Sequence, residues 1–280
     1  MRRALAVLLT AFRIGWQNES NWTWRPLYFL YVLIRPMAAC MILYFLFRVV
    51  SSNPAANPGF VSVYICNAFF TIFVAMTGGI GWVIIEDREW FQVIKYVYIA
   101  PMNFILYLIG RMLLVLLISI FGLTVILLFG EFVLGIPLAA GSIHWPLLAA
   151  SFILGMISSA ALGVMLAALV LITARHSMLL SEGIGGVFLL LCGIIYPIDF
   201  MPRILREVSL GIPLTWWMET TRRAFSRPAF GKMLASYSTG EALLIFLATA
   251  AILMVASSLS FRLCMGYAKK NGKIDQMTNY

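Results

Sequence analysis

The feature that most constrains this chain is a series of six long apolar runs, each about as long as a helix that crosses a membrane. A hydrocarbon core of about 30 Å requires about 20 mostly apolar residues in helical form. Hydrophobic residues make up 62% of the chain and charged residues 11%, which excludes an ordinary soluble domain. We therefore predict an all-α integral membrane protein in which residues 1–280 form a single domain. Its six transmembrane helices are predicted over residues 27–50, 60–85, 108–130, 146–174, 178–196 and 241–261.

The runs are continuous, so the alternating strands of an outer-membrane β-barrel are excluded. An even number of crossings places both termini on one side, and basic residues favour the cytoplasmic side. With the termini inside, most Lys and Arg residues near the span ends lie on the inner side. All but one of those on the outer side fall between the fifth and sixth spans. This pattern predicts cytoplasmic termini. It also accounts for the net charge of +9, so the charge does not indicate a nucleic-acid partner.

The N-terminal residues predict an amphipathic helix that lies in the inner headgroup layer. On a helical wheel, one face carries an apolar stripe with basic residues beside it. A cleaved signal peptide is the alternative, but the apolar core is short and no small-residue cleavage site follows it. The interfacial helix is therefore favoured. Its apolar residues are Leu5, Leu8, Leu9, Phe12 and Trp16.

A charged segment at residues 86–101 follows the second span. Its apolar residues share one helical face, its acidic residues stand at the start, where the helix dipole favours them, and Pro101 ends it. We predict one helix that lies along the inner membrane surface. From the residues alone, it is either a capped helix in a loop or a docking helix for a cytoplasmic partner. The residues concerned are Glu86, Asp87, Arg88, Glu89, Trp90, Phe91, Lys95 and Pro101.

A second unusual segment covers residues 197–227, after the fifth span. Asp199 and Pro202 predict the start of a short helix, and Pro213 separates it from a second helix. On that second helix, Glu219 and Arg223 have the spacing of an i,i+4 ion pair. Two half-helices that return to the same side would keep the arginines in the outer interface and place Trp216 and Trp217 in the aromatic belt. The candidate residues are Tyr196, Pro197, Pro202, Pro213, Trp216, Glu219, Arg222 and Arg223.

Charged residues inside the apolar runs are few. Arg35 either faces protein or water within the first span or extends to its edge, and both interpretations stay open. Arg111 is expected to extend to the edge of the third span in the same way. Glu182 is predicted to pair with Arg175 or His176.

Small residues recur every fourth position in the fourth span, at Gly155, Ser159 and Gly163. Such residues let membrane helices approach closely. Packing within the chain is favoured over a dimer contact or a substrate groove.

The order of these features resembles that of type 2 ABC transporter permeases, the membrane subunits of many ATP-driven exporters. The resemblance covers nearly the whole chain and is carried by the run from Glu86 through Pro101 to Gly110-Arg111 and by the proline-rich segment after the fifth span. The tail, with Phe261-Arg262 and residues 272–275, is similar to the drug-resistance branch. Trp90-Phe91 stands where many members have Gly-Thr. The resemblance implies that residues 86–101 form a cytoplasmic coupling helix and residues 197–227 form re-entrant helices that cap the translocation path.

The function that the resemblance implies is ATP-driven export across a bacterial or archaeal cytoplasmic membrane. A lipophilic drug, lipid or lipid-linked substrate is favoured because the expected lining is Phe, Met, Leu and Ile with few polar groups. The chain has no G-x-x-x-x-G-K-[ST] loop, so ATP and Mg²⁺ are expected on a separate ABC ATPase subunit, and the chain is no enzyme by itself. A second permease copy or a related permease is the other expected partner, and no metal site is expected. A proton- or ion-coupled carrier is an alternative that the scarcity of mid-membrane ionisable groups disfavours. An intramembrane enzyme is a second alternative, disfavoured because no nucleophile is paired with a base.

Overall fold

The computed structural model describes residues 2–21, 24–50, 54–100, 102–138, 140–173 and 177–271. Within these ranges every regular element is a helix, and no strand occurs. A π-helical turn at Glu86–Trp90 follows the third helix, and 3₁₀ turns lie at Pro54–Ala56, Ala140–Ser142 and Ile198–Phe200. The α-helices are α1 (Arg2–Asn21), α2 (Arg25–Val50), α3 (Pro58–Ile85), α4 (Ile94–Ile99), α5 (Phe104–Phe132), α6 (Trp145–Ile172), α7 (Ser177–Leu191), α8 (Arg203–Gly211), α9 (Pro213–Ala224), α10 (Lys232–Ala235) and α11 (Thr239–Lys270).

Among the described residues, five helical stretches are long and apolar enough to cross a membrane, which makes the chain a multi-pass membrane protein. These stretches belong to α2, α3, α5, α6 and α11. The helix at the predicted fifth span, α7, has 15 residues, fewer than the roughly 20 that a full crossing needs. A count of six spans therefore stays a prediction. The five stretches are Leu30–Val49, Pro58–Trp90, Phe104–Phe132, Trp145–Val170 and Thr239–Lys270.

Polar caps fix where three of these helices begin. The side chain of Asn57 accepts a hydrogen bond from the backbone N–H of Gly59, and Asn103 accepts one from Ile105, both at 2.9 Å. At α11, Ser238 and Glu241 form a reciprocal capping box. These caps satisfy N–H groups that the first turn of a helix leaves without a partner. They explain why α3, α5 and α11 begin slightly before the apolar runs do.

Helix α3 is the centre of the fold. It is buried along most of its length and packs against α2, α5, α6, α7 and α9. The hydroxyl of Tyr64 on α3 donates a hydrogen bond of 2.6 Å to the carbonyl of Ile126 on α5. Because α3 contacts so many helices, a shift of its inner end would be felt throughout the bundle.

Small residues bring the helices together, as expected for membrane bundles. Gly163 of α6 faces Ile80 of α3, and a Cβ at position 163 would lie 2.5 Å from the Cδ1 atom of Ile80. Gly155 of α6 lies directly against the indole of Trp217 on α9, which leaves no room for a Cβ. The prediction of packing within the chain is confirmed for these two glycines.

Candidate functional site

The charged segment after α3 is not one helix, so the prediction of a continuous helix over residues 86–101 is wrong. The chain leaves α3 through the π-helical turn Glu86–Trp90, and the N–H of Phe91 closes this turn on the carbonyl of Glu86 at 2.9 Å. Gln92 then adopts a left-handed φ of 52°, which ends the helical path before the six-residue helix α4 begins. Pro101 lies outside the described residues, as does the side chain of Lys95.

The acidic residues of this segment face the protein. The Nη2 atom of Arg111 on α5 donates to Glu86 Oε2 at 2.9 Å, and its Nη1 atom lies 3.9 Å from Asp87 Oδ1. The hydroxyl of Tyr107, one turn before Arg111, donates to Asp87 Oδ2 at 2.7 Å. The acids therefore stand at the C-terminal end of α3, where the helix dipole disfavours them, and Arg111 offsets that cost. The expectation that Arg111 extends to the membrane edge is wrong, since its side chain is buried.

Glu19 of α1 adds a third carboxylate to this group. The electrostatic influence of Arg111 reaches Glu19, and the hydroxyl of Tyr28 hydrogen-bonds to it. Burial raises the pKa of Glu19, and the attraction of Arg111 and the bond to Tyr28 offset only part of this effect. We call Glu19, Glu86, Asp87, Tyr107 and Arg111 the inner polar cluster. It joins α1, the end of α3 and the start of α5 around one guanidinium group.

Arg88 is fully buried and connects the segment to a fourth helix. Its Nε atom pairs with Glu89 Oε1 at 2.9 Å, and its Nη1 atom donates to the carbonyl of Val170 at 3.3 Å. Val170 lies in the last turn of α6, where unpaired carbonyls attract a cation. Arg88 is thus held inside the protein and is not presented to a partner.

The exposed part of the segment lies further along the chain. Trp90 is 58% exposed and Phe91 43%, and Gln92, Tyr96 and Ile99 are also exposed. We call these residues the exposed edge. The predicted docking segment is therefore divided into an internal part, which binds other helices, and an external part, whose side chains are exposed.

The N-terminal helix is seated on the base of α5 through small residues. A Cβ at Gly110 would lie 2.6 Å from the Cβ of Ala11 and 2.7 Å from the carbonyl oxygen of Leu8. Leu5 and Leu9, on the predicted apolar face, are exposed on the other side of α1. The predicted amphipathic helix is present. The close contact of Ala11 and Leu8 with Gly110 of α5 holds it to the bundle, and the helical wheel did not predict this contact.

At the other end of the molecule, residues 192–238 form what we call the outer cap. Gly193 has a positive φ of 62° directly after α7, and Tyr196 donates from its hydroxyl to the carbonyl of Leu190 at 2.6 Å. Pro202 occupies the N-cap position of α8, and Pro213 lies in the first turn of α9. Both prolines thus stand at helix starts, where a missing N–H costs nothing. The predicted helix start at Pro202 and the predicted break at Pro213 are confirmed.

Three charged residues of α9 bind the outer cap together. Arg223 Nε donates to Glu219 Oε1 at 2.8 Å, which confirms the predicted i,i+4 pair. Arg223 also donates to the carbonyls of Tyr237 and Leu234, at 2.9 and 2.8 Å. Arg222, fully buried, donates to the carbonyl of Gly193 at 2.6 Å.

Two expectations for this region are wrong. Arg222 and Arg223 do not lie in the outer interface, because Glu219 and backbone carbonyls hold them inside the cap. Trp216 and Trp217 do not belong to an aromatic belt, since each is only 1% exposed. Trp216 donates to the carbonyl of Leu210 at 2.7 Å, and Trp217 packs on Gly155. Arg203 of α8 does remain exposed.

Two adjoining cavities lie between α2, α3 and α5. One of about 540 Å³ is lined by Glu19 and Glu86 at its inner end, and one of about 380 Å³ is lined by Asn67 and Thr71. Both include Val32, Val74, Ala75, Ile118 and Ser119 in their lining, so they lie on either side of the same side chains. Most of the remaining lining is apolar. Two members of the inner polar cluster, Glu19 and Glu86, thus line the first of these cavities.

Some candidate residues lie outside this description. The side chain of Arg35 is not described, so both interpretations of it stay open. Arg175, His176 and the side chain of Glu182 also lie outside the described residues, as does the 272–275 part of the tail. Within the described part of the chain, no group of His, Cys, Asp and Glu has an arrangement that could hold a metal ion.

Five helical stretches of membrane length define the class of this chain as a multi-pass membrane protein. The charged segment after α3 lies at one end of the bundle, and the outer cap lies at the other. The family model described as ABC-2 type transporter matches residues 10–225, from α1 to the end of α9. The chain therefore belongs to the ABC-2 type transporter family, and the resemblance to type 2 ABC permeases is confirmed. It is the transmembrane subunit of an ABC transporter, a family that normally works with a separate ABC ATPase. A search of curated proteins found no match to the chain.

Proposed function

We propose that this subunit exports a lipophilic drug, lipid or lipid-linked molecule, using ATP and Mg²⁺ bound by a separate ABC ATPase. Two permease subunits, identical or related, would form the path in a bacterial or archaeal cytoplasmic membrane, with the termini in the cytoplasm. The observation that carries this proposal is the connection between the exposed edge and the inner polar cluster. A single short segment presents aromatic side chains outwards and binds α5 and α6 inwards.

The coupling step follows from this division. The ATPase docks on the exposed edge, where Trp90 and Phe91 supply a large apolar contact. Movement of the edge then passes through Arg88 to α6 and through Glu86 and Asp87 to α5. Buried ion pairs suit this task because they have discrete arrangements. Glu86, Asp87 and Arg88 are thus transmitting residues rather than docking residues.

The two adjoining cavities between α2, α3 and α5 together form the proposed substrate cavity. Its combined size is in the range of about 300–1,000 Å³ that small-molecule sites occupy, and its lining is mostly apolar. Asn67, Thr71 and Ser119 supply the polar groups that would orient a substrate. This composition supports a lipophilic substrate.

The outer cap is proposed to close this path from outside, with α7 as a sixth crossing and α8 and α9 as re-entrant helices. The turn between α8 and α9, Gly211 to Leu214, lies beside Ser158 and Thr249. Ser158 is near the middle of α6, which supports a cap that enters the membrane. Because Arg222 donates a hydrogen bond to the carbonyl of Gly193, the outer cap would move together with the end of α7.

The test is ATP-dependent uptake into inside-out vesicles that contain this chain and a co-expressed partner ABC ATPase. A panel of lipophilic drugs and lipids should include one whose uptake requires ATP and Mg²⁺. The double variant Trp90→Ala with Phe91→Ala should abolish that uptake, while Phe132→Ala, an exposed aromatic residue at the far end of α5, should not. Uptake driven by a pH gradient without ATP would contradict the proposal and favour a coupled carrier. Chemical turnover by the chain without a partner would favour an enzyme.

A further inference from the structure

A separate cavity of about 470 Å³ lies between α3, α5 and α6, at the end of the bundle where Phe225 of the outer cap also borders it. The described residues of its lining do not overlap those of the proposed substrate cavity, so it faces a different side of α5. It is therefore a second site on the same subunit, and we call it the α5–α6 cavity. Its lining includes Leu123, Leu127, Glu131, Trp145, Ala149 and Phe152.

The α5–α6 cavity lies where two helical stretches of membrane length have their ends. Glu131 is the last residue but one of the stretch Phe104–Phe132, and Trp145 is the first residue of the stretch Trp145–Val170. Leu127 and Leu123 line the cavity one and two turns deeper along α5. A ligand would meet a charged group at the membrane surface and apolar side chains below it. This arrangement suits an amphiphilic molecule.

Glu131 is the one charged side chain in the described lining of the cavity. It is exposed, and among the described residues its side chain makes no ion pair or hydrogen bond. It stands in the last turn of α5, where the helix dipole disfavours a carboxylate and where no basic residue offsets it. Arg227, which donates to the carbonyl of Pro137, is not part of the described lining. A cation at Glu131 would therefore be attracted both by the carboxylate and by the helix end.

Trp145 supplies an aromatic side chain to the same cavity. It is 60% exposed, and the face of an indole ring attracts ammonium groups. Deeper in the wall, the ring of Phe69 packs edge-to-face against the rings of Phe152 and Phe225, with centroid separations of 6.3 and 6.2 Å. The cavity thus offers partners for a cation at its mouth and for an apolar body further in.

The size and charge of the cavity favour a free small molecule over a lipid. Its volume lies in the range of about 300–1,000 Å³ that small-molecule sites occupy. A phospholipid with an amine headgroup also carries a phosphate, and the described lining has no cation to receive it. A lipophilic ammonium ion carries no such group.

We propose that the α5–α6 cavity binds a lipophilic ammonium ion that reaches it from the membrane. The ammonium group lies between the carboxylate of Glu131 and the ring of Trp145, and the apolar body lies against Leu127 and Phe152. Because Phe225 shares the cavity with α5 and α6, the ligand also bridges the outer cap and these two helices. The proposal does not depend on the proposed function.

The test uses two probes of nearly equal shape, (4-phenylbutyl)trimethylammonium and its uncharged analogue in which a carbon atom replaces the nitrogen. Binding of each tritium-labelled probe is measured by equilibrium dialysis on the full chain in dodecyl maltoside, with empty micelles subtracted. Glu131→Gln should weaken binding of the ammonium probe by about fivefold, the upper end for an ion pair that is open to water. Binding of the uncharged probe should stay within about twofold.

Glu207→Gln is the matched control, because Glu207 is an exposed glutamate of the outer cap outside the described lining. It should leave binding of both probes unchanged. Equal losses for the two probes in Glu131→Gln would overturn the proposal, as would equal effects of the two glutamine variants. Displacement of the ammonium probe by added phosphatidylethanolamine would overturn the choice of a free molecule and assign the site to a lipid amine.

A second pair of variants tests the location. Ala149→Trp places a large side chain in the lining and should weaken binding of both probes by about fivefold or more. Ala251→Trp, at an exposed position of α11 outside the described lining, should leave binding unchanged. Unchanged binding in Ala149→Trp would show that the probes bind elsewhere and would overturn the proposal.

Discussion

Buried charges occur at both ends of this molecule, but they are bound in different ways. In the inner polar cluster, side chains of three separate helices pair with one another around Arg111. In the outer cap, Arg222 and Arg223 donate mainly to backbone carbonyls of the same segment. Hydrogen bonds to backbone carbonyls of the same segment hold a side chain in one conformation. Ion pairs between different helices can exchange partners when the helices move. The comparison indicates a rigid cap at one end and a movable joint at the other.

The largest effect is expected from Glu219→Ala in the outer cap. This change leaves the fully buried Arg222 and the largely buried Arg223 without their carboxylate, and breaking a buried ion pair costs about 3–5 kcal/mol. The matched control is Glu207→Ala, which breaks the exposed pair with Arg203 and should cost about 0.5 kcal/mol or less. Thermal unfolding of both variants in detergent measures the difference. Similar unfolding temperatures would show that the cap is not held by its charges.

Arg111→Met should have the next largest effect and should act mainly on coupling. The expected loss of stability is about 2–4 kcal/mol, somewhat less than for Glu219, because Glu86 borders a cavity that admits water. The bound ATPase should continue to hydrolyse ATP while substrate uptake falls steeply. Measuring both rates in the same proteoliposomes separates the two effects. If uptake and hydrolysis fall together in proportion, the inner polar cluster does not transmit movement.

Gly110→Ala tests how α1 is seated on α5. The new Cβ would meet Ala11 and the backbone of Leu8, so α1 must shift, at a cost of about 1–3 kcal/mol. Gly122→Ala is the control on the same helix, because nothing lies within 4 Å of its Cβ position. The control should be neutral or slightly stabilising. Protease sensitivity of the α1–α2 connection, together with thermal unfolding, would show whether the two variants differ.

The smallest effect is expected from Glu19→Gln and depends on pH. The pKa of Glu19 is raised in the folded protein, so its contribution to stability is greatest below the ordinary pKa of a glutamate and is lost as the pH rises through the raised value. Glutamine cannot ionise, so the variant should gain stability over the wild type as the pH rises through the raised pKa of Glu19, and it should keep that gain at higher pH. Unfolding temperatures across a pH series measure this gain. A constant difference at every pH would show that Glu19 is not buried as described.

Much of this fold can be predicted from the sequence because hydropathy and proline have local effects. Long apolar runs predict the membrane-length helices, Pro202 predicts a helix start, Pro213 predicts the break before the next helix, and the spacing of Glu219 and Arg223 predicts their pair. These features depend on residues close together in the chain. They need no knowledge of the tertiary structure.

The remaining features depend on partners far away in the sequence. The helical wheel assumed a constant period through residues 86–101, but the pairing of Glu86 and Asp87 with Arg111 accompanies a π-helical turn and a left-handed Gln92. Gly155 lies 62 positions before Trp217 in the chain, and Trp217 is buried because this glycine leaves space for its ring. One signal could have indicated the inner polar cluster. An arginine inside an apolar run, with a tyrosine one turn before it, requires a buried acidic partner.

The most direct test of the account is the contact between the exposed edge and the ATPase. A photo-crosslinking amino acid is placed at Trp90 or, as the control, at Phe132, which is exposed at the opposite end of the bundle. The complex with the co-expressed ATPase is irradiated, and crosslinked products are identified by mass spectrometry. We expect a crosslink to the ATPase from position 90 and none from position 132. Absence of a crosslink from position 90, or equal crosslinking from both positions, would contradict the coupling that we propose.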